Sequence, residues 1–169
     1  MANKGTEKLV KLLIKGGWNI VTMESCTGGA LANAITNVPG ASAVIKDSFI
    51  TYSNEAKIKL GVLPQLIKKY TVYSGEVAGS MACCAARASV MAKHKIIGVG
   101  ITGSLTREDP NNPNSVPGKV YIALDMYTKG VNNGGIGFEY EMNVESTNRS
   151  AGKTEIVNEV TKILTRLVK

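Results

Sequence analysis

The sequence predicts a single layered α/β domain, a mixed sheet with helices on both faces. Three observations predict it. Helix-like and strand-like stretches alternate through the first hundred residues, the order that builds a sheet with helices laid across it. Three strand candidates then follow one another before a last helix, and this run of strands makes the sheet mixed. The chain of 169 residues suits one core, and no repeat, low-complexity stretch or linker divides it.

Residues 4–15 place Leu9, Val10, Leu12, Leu13 and Ile14 among lysines at helical spacing, and Gly16-Gly17 closes that helix. Residues 18–23 are largely apolar or β-branched and read as a short buried strand. After residues 24–29, a small-residue helix resumes over 30–35 and ends at Pro39-Gly40. Residues 48–53 form the next strand. Asn54 is placed to cap a short helix over 55–60, and Pro64 to open another over 65–70. Ser74 is placed to cap a long helix over about 75–93, rich in Ala, Met and Cys, whose small side chains imply close approach to a neighbouring element. Residues 96–102 read as a buried strand. The stretch 103–117 holds three prolines and three asparagines and reads as a loop. Residues 119–127 form a strand with Val120, Ile122 and Leu124 on one face. The turn residues Asn132-Asn133-Gly134-Gly135 lead to a strand over 135–144. An amphipathic helix over 154–168 ends the chain.

Composition excludes several classes of function. No apolar run approaches the roughly 20 residues of a membrane helix, and the N-terminus lacks the apolar stretch of a secretory signal. The expected location is the cytoplasm. Three cysteines without a CxxC pair fit a reducing compartment, with Cys83 and Cys84 in or near the core. The single histidine, His94, stands between Lys93 and Lys95 at a solvated helix end, which argues against a histidine-built zinc site and a Ser-His-Asp triad. The net charge of +7 favours anionic partners. The lysines are dispersed and aromatics scarce, so a phosphorylated small molecule fits better than nucleic acid.

The segment most suited to chemistry is Glu24-Ser25-Cys26-Thr27-Gly28-Gly29, between a strand and a helix. Ligands in α/β folds bind beyond the carboxyl ends of strands. A helix N-terminus there offers unpaired N–H groups, and Gly28 and Gly29 let a ligand approach the backbone. Such a site can hold a phosphate, or stabilise an oxyanion beside a serine nucleophile. The same residues also suit a plain helix cap by Ser25 or Thr27, and residue types alone do not decide between them. A serine nucleophile needs a base, here a lysine or a carboxylate. Tyr52 to Lys57, a strand running into a helix, can bring Tyr52 and Lys57 to one cleft. Lys57 and Lys59 equally suit a solvated helix face, and spacing does not single out Lys57 from its neighbours.

Several motifs, in order and spacing, closely resemble the C-terminal domain of the CinA family. They are the segment 24–29, Val38-Pro39-Gly40-Ala41-Ser42, Thr51-Tyr52-Ser53-Asn54-Glu55-Ala56-Lys57 and Leu60-Gly61-Val62. Ser74-x-Glu76-Val77-Ala78, Met81-Ala82, Ile101-Thr102-Gly103 and Val116-Pro117-Gly118-x-Val120-Tyr121 continue the likeness over nearly the whole chain. The chain looks like a stand-alone copy of that domain. Active members of the family are nicotinamide-nucleotide amidohydrolases, which convert nicotinamide mononucleotide to nicotinate mononucleotide and ammonia. The resemblance therefore implies Ser25 as nucleophile and Tyr52 and Lys57 as its proton-handling partners. Backbone N–H groups of Cys26 to Gly28 would hold the oxyanion, and Gly29 would line the site with them. It implies no metal and no cofactor. Arg149 and Lys153 stand where the family carries a pair of arginines, and are the expected ligands of the substrate's phosphate. Thr102, beyond the third apolar strand, is a further lining candidate. A homodimer or trimer is the expected assembly.

Two stretches depart from the family's pattern. Asp47-Ser48 replaces a glycine pair, and residues 103–113 replace a glycine-rich turn, introducing Arg107. The second change leaves open a shifted amide substrate, or a non-catalytic nucleotide-binding homologue.

Overall fold

The first helix is bounded by its own residues. Asn3, in extended conformation, accepts a hydrogen bond from the Gly5 N–H and starts α1 (Lys4–Gly16), and Gly17 stops it at φ 68°. The computed structural model describes residues 3–89, 95–112, 115–128 and 136–169. After α1 come β1 (Trp18–Glu24), α2 (Ala30–Thr36), a 3-10 turn (Ala41–Ala43), β2 (Ile45–Ile50), α3 (Asn54–Lys59), α4 (Pro64–Tyr70) and α5 (Gly75–Ala88). The second half is β3 (Lys95–Gly103), β4 (Lys119–Thr128), β5 (Ile136–Asn143) and α6 (Arg149–Leu167).

The five strands form one sheet in the order β2-β1-β3-β4-β5. β1 runs parallel to both β2 and β3, while β4 and β5 are antiparallel to their neighbours. The sheet is therefore mixed, as the run of late strands predicts. Side chains alternate across it. On β1, Ile20 joins Leu9, Leu13, Leu31, Ile156 and Leu164 beneath α1, α2 and α6. Val21 and Met23 point to the other face and meet Val77, Met81 and Ala85 of α5.

The small residues of α5 answer a need on β3. A Cβ placed on Gly98 would stand 2.0 Å from the Ala82 carbonyl oxygen, and one on Gly100 2.1 Å from that of Ala78. The helix backbone lies directly on these two glycines, so nothing flexible can yield. Gly100→Ala is expected to destabilise the fold by about 3 kcal/mol or more in chemical denaturation. A loss below about 1 kcal/mol would mean that α5 lifts off the sheet freely.

Most element boundaries match the sequence reading, and four differ. The second strand occupies Ile45–Ile50, three residues earlier than expected. Ser53 rather than Asn54 caps α3, its hydroxyl accepting from the Ala56 N–H, so the chain has already left the strand. The last helix begins at Arg149, not at 154, because Asn148 accepts from the Ser150 and Ala151 N–H groups. Its first turns are polar and carry no apolar period to betray them. The long helix ends at Ala88, five residues before the expected 93, where Ser89 takes an extended conformation. His94 and the 132–135 turn lie outside the described residues. Among the described residues no helix is long and apolar enough to cross a membrane.

This topology makes a crevice. The chain leaves β1 toward α2 on one face, and leaves β2 toward α3, α4 and α5, with α5 on the opposite face. The strands stay paired to their ends, Glu24 beside Ile50, while the connections leaving those ends go to opposite faces, and open α/β sheets bind ligands beyond such carboxyl ends.

Candidate active site

Ser25 is the residue directly after β1. Its N–H donates to the Ile101 carbonyl at 2.9 Å, so the end of β3 fixes its place, and it is buried. The chain then passes Gly28 at φ 59° and Gly29 at φ 91° before α2 begins. Neither hydroxyl of this segment caps the helix. Gly29 holds the cap position without a side-chain bond, and the buried Thr27 hydroxyl has no partner among the described residues. The capping is done by Glu24, which the sequence reading did not single out. Its buried carboxylate accepts from the Leu31 N–H at 3.1 Å, the Ala32 N–H at 2.9 Å and the Thr22 hydroxyl at 3.2 Å. A carboxylate at a helix start is favoured by the orphan N–H groups and the dipole. The start of α2 is thereby filled from within. The Gly28 N–H is also taken, by the Ser25 carbonyl at 3.0 Å. Among the described residues the Cys26 and Thr27 N–H groups donate to no other residue. Of the three N–H groups expected at an oxyanion, these two are the ones without an acceptor on another residue.

Lys57 is fully buried and lies on no solvated face. The Ser53 cap turns α3 so that this side chain points back under the end of β1. Its Nζ donates to the Thr51 carbonyl at 2.8 Å, the Ser25 Oγ at 3.1 Å and the Ser53 carbonyl at 3.5 Å. Desolvation lowers its pKa from 10.5 to about 8. The geometry also aims it. An ammonium has three hydrogens for three acceptors. The neutral amine has two hydrogens and a lone pair, and both carbonyls are acceptors only. The lone pair is therefore left facing Ser25.

A cleft of about 530 Å³ opens above this pair, lined by Ser25, Cys26, Tyr52, Ser53, Asn54 and Glu55 on one side. The loop after β3 contributes Ser104, Leu105, Arg107, Glu108, Asp109, Asn111 and Asn112, and Tyr73 and Arg149 complete the lining. Tyr52 is exposed, and its phenol oxygen accepts from the Arg149 guanidinium at 3.1 Å. With that lone pair used, the phenol proton is free to point into the cleft. Glu55 carries a carboxyl held below its ordinary pKa by its own backbone N–H and the Ser53 hydroxyl. Cys26, beside Ser25, is no rival nucleophile, because burial pushes its thiol up to about 12.

Of the expected substrate-binding residues, Cys26 and Arg149 line the cleft, whereas Thr27, Gly28, Gly29, Thr102 and Lys153 do not. Thr102 is fully buried, and its hydroxyl donates to the Val72 carbonyl at 2.9 Å, tying the α4–α5 connection to β3. It does not line the cleft. Lys153 sits over Gly28, whose Cβ would stand 3.2 Å from its Nζ, and is likewise outside the lining. Gly29 faces Ile50, with 3.0 Å available for a Cβ. Tyr73, Asp109 and Asn112 are cleft residues the sequence reading missed. Tyr73 had no signal beyond preceding the cap residue Ser74, and the other two were absorbed in a turn-rich loop.

Comparison with known proteins shows the family of the chain. The CinA C-terminal domain profile matches residues 2–168. A protein of Clostridium kluyveri described as a putative competence-damage inducible protein is 41% identical over 128 residues, which are 75% of this chain and 30% of that protein. One of the same description from Caldicellulosiruptor saccharolyticus is 48% identical over 98 residues, 57% of this chain and 24% of that protein. The chain thus spans less than a third of these curated relatives. Among solved structures, a competence-damaged protein (CinA) superfamily member from Escherichia coli superposes with a TM-score of 0.81 at 26% identity, covering 96% of this chain and 88% of that one. One from Klebsiella pneumoniae gives 0.82 at 22% identity, covering 98% and 96%, a likeness of fold. The chain belongs to the CinA C-terminal domain family.

Proposed function

We propose that this protein hydrolyses the carboxamide of nicotinamide mononucleotide, releasing ammonia and nicotinate mononucleotide, with Ser25 as nucleophile. The observation that carries the reading is the 3.1 Å contact between Lys57 Nζ and Ser25 Oγ, made by a buried lysine whose pKa burial has lowered to about 8. A serine alcohol attacks an amide only when a base takes its proton. Lys57 as a neutral amine is such a base.

The proposed steps use this pair and the free N–H groups beside it. Ser25 Oγ bonds to the amide carbon as its proton passes to Lys57, directly or through Tyr52. The carbonyl oxygen becomes an oxyanion against the Cys26 and Thr27 N–H groups. Collapse breaks the C–N bond, and the proton held by Lys57 or Tyr52 goes to the departing nitrogen, which leaves as ammonia. Water, deprotonated by the same amine, attacks the ester, releases the carboxylate and returns the proton to Ser25. The substrate is a zwitterion, and both signs line the cleft. Glu55, close enough to Lys57 to act on its charge, suits the cationic pyridinium ring, and the arginines suit the phosphate.

The test is ammonia and nicotinate mononucleotide production by the purified protein at about pH 9, above the Lys57 pKa. Turnover is expected. Its absence would overturn the reaction, and turnover of other amides in its place would shift the substrate while leaving the chemistry.

A further inference from the structure

We infer that Arg107 anchors the phosphate end of the substrate and is the residue by which the cleft prefers a mononucleotide to its nucleoside. This rests on the amidohydrolase reading and names what holds the far end of that substrate. Two guanidinium groups line the cleft, those of Arg149 and Arg107. Arg149 is engaged, donating to the phenol oxygen of Tyr52 at 3.1 Å. Lys153, the other cation expected at the phosphate, stands over Gly28 outside the lining. Lys57 is buried and committed to Ser25 and two carbonyls. Arg107 is exposed, and its guanidinium has no hydrogen-bond or ion-pair partner among the described residues. It is the cleft cation with all its donors available, and a guanidinium meets a phosphate in a two-point fork.

The loop is built to present it. The Ser104 hydroxyl donates to the Arg107 carbonyl, pinning its backbone. Two residues on, the Asp109 carboxylate accepts from the Tyr73 hydroxyl at 2.8 Å and the Asn112 amide at 2.7 Å. The Asp109 N–H donates to the Ser115 hydroxyl at 2.6 Å. These bonds hold the Asp109 carboxylate inside the loop, so its oxygens are not paired with the Arg107 guanidinium. They also tie the loop to Tyr73, which lines the cleft beside it. Loop entropy that would otherwise oppose ligand binding is already lost in the free protein.

The experiment compares wild type, Arg107→Ala and Arg107→Lys. KM and kcat are measured with nicotinamide mononucleotide and with its dephosphorylated nucleoside, and binding of both is measured by calorimetry in a Ser25→Ala background. Arg107→Ala is expected to raise KM and Kd for the mononucleotide about tenfold or more. It should leave kcat within about twofold, because the lost contact is equal in ground and transition states. The nucleoside should bind no worse than to wild type, and Arg107→Lys should recover part of the loss. Equal weakening of both ligands, an unchanged mononucleotide, or a wild type that does not distinguish the two would overturn the anchor. Phosphate-dependent binding that needs Arg107, without hydrolysis, would keep the anchor and overturn the reaction. Hydrolysis with a KM indifferent to Arg107 would do the reverse.

Discussion

Ser25→Ala is expected to reduce ammonia release from nicotinamide mononucleotide by about 10⁴-fold or more, the scale of removing a nucleophile that acts as a unit with its base. Binding should persist within a fewfold, because the Cys26 and Thr27 N–H groups and the arginines of the cleft are untouched. The fold should also persist. The lost hydroxyl accepts one of three bonds from Lys57, and the two carbonyls still take both hydrogens of the neutral amine. Rapid-quench mass spectrometry of the intact protein supplies a direct check, with an acyl ester expected on wild type and none on the variant. Turnover retained by Ser25→Ala would move the attack to a water activated by Lys57 and remove the covalent step. Loss of turnover together with loss of binding would instead point to a collapsed site.

The segment around Ser25 was legible because several local signals coincide there, an apolar strand, two glycines and a helical restart. Their meaning was only half legible. The same signals suited either a helix start open to a ligand or one capped by Ser25 or Thr27, whereas Glu24 closes it with two bonds from the Leu31 and Ala32 N–H groups. A single acidic residue at a strand end carries no mark of whether it faces solvent or the next helix. Lys57 shows the converse. In a string it is indistinguishable from Lys59, since both sit in the last turn of a short helix with the pattern of a wet face. Its burial depends on where β1 and β2 end relative to each other, a long-range fact that periodicity cannot hold. The resemblance to the CinA family named Lys57 where spacing could not. Position beyond an apolar strand suggested Thr102 for the lining, whereas this buried residue serves β3 packing and a bond to Val72. The sheet was legible from its strands, and the close seat of α5 from its small residues. The glycines that receive α5, Gly98 and Gly100, read simply as part of an apolar strand.

The proton held by Lys57 should be visible in two independent measurements. The base works as a neutral amine, so kcat/KM should rise with pH through about 8 and level off above it. Lys57→Met should lose about 10²- to 10⁴-fold in kcat/KM, the range for removing a general base. Lys57→Arg should be no better, since a guanidinium does not give up its proton in this range. The thermodynamic sign follows from the same shift. The folded-state pKa, about 8, lies below the ordinary value of 10.5 that the unfolded chain regains. Between these two values the unfolded state binds more protons, so raising the pH through that window stabilises the fold. Below about 8 both states carry the charge, and the cost of burying it is felt in full. Wild type should therefore gain stability between about pH 8 and pH 10.5 relative to Lys57→Met, by something on the order of 2 kcal/mol. Taking the difference between the two proteins in denaturant unfolding cancels the other lysines and tyrosines, which titrate alike in both. A rate profile without an inflection near 8 would deny Lys57 the role of base even if its removal were costly. A difference curve that stays flat across the window would show the amine to be hydrated in solution, and the lone pair would then no longer be held for Ser25.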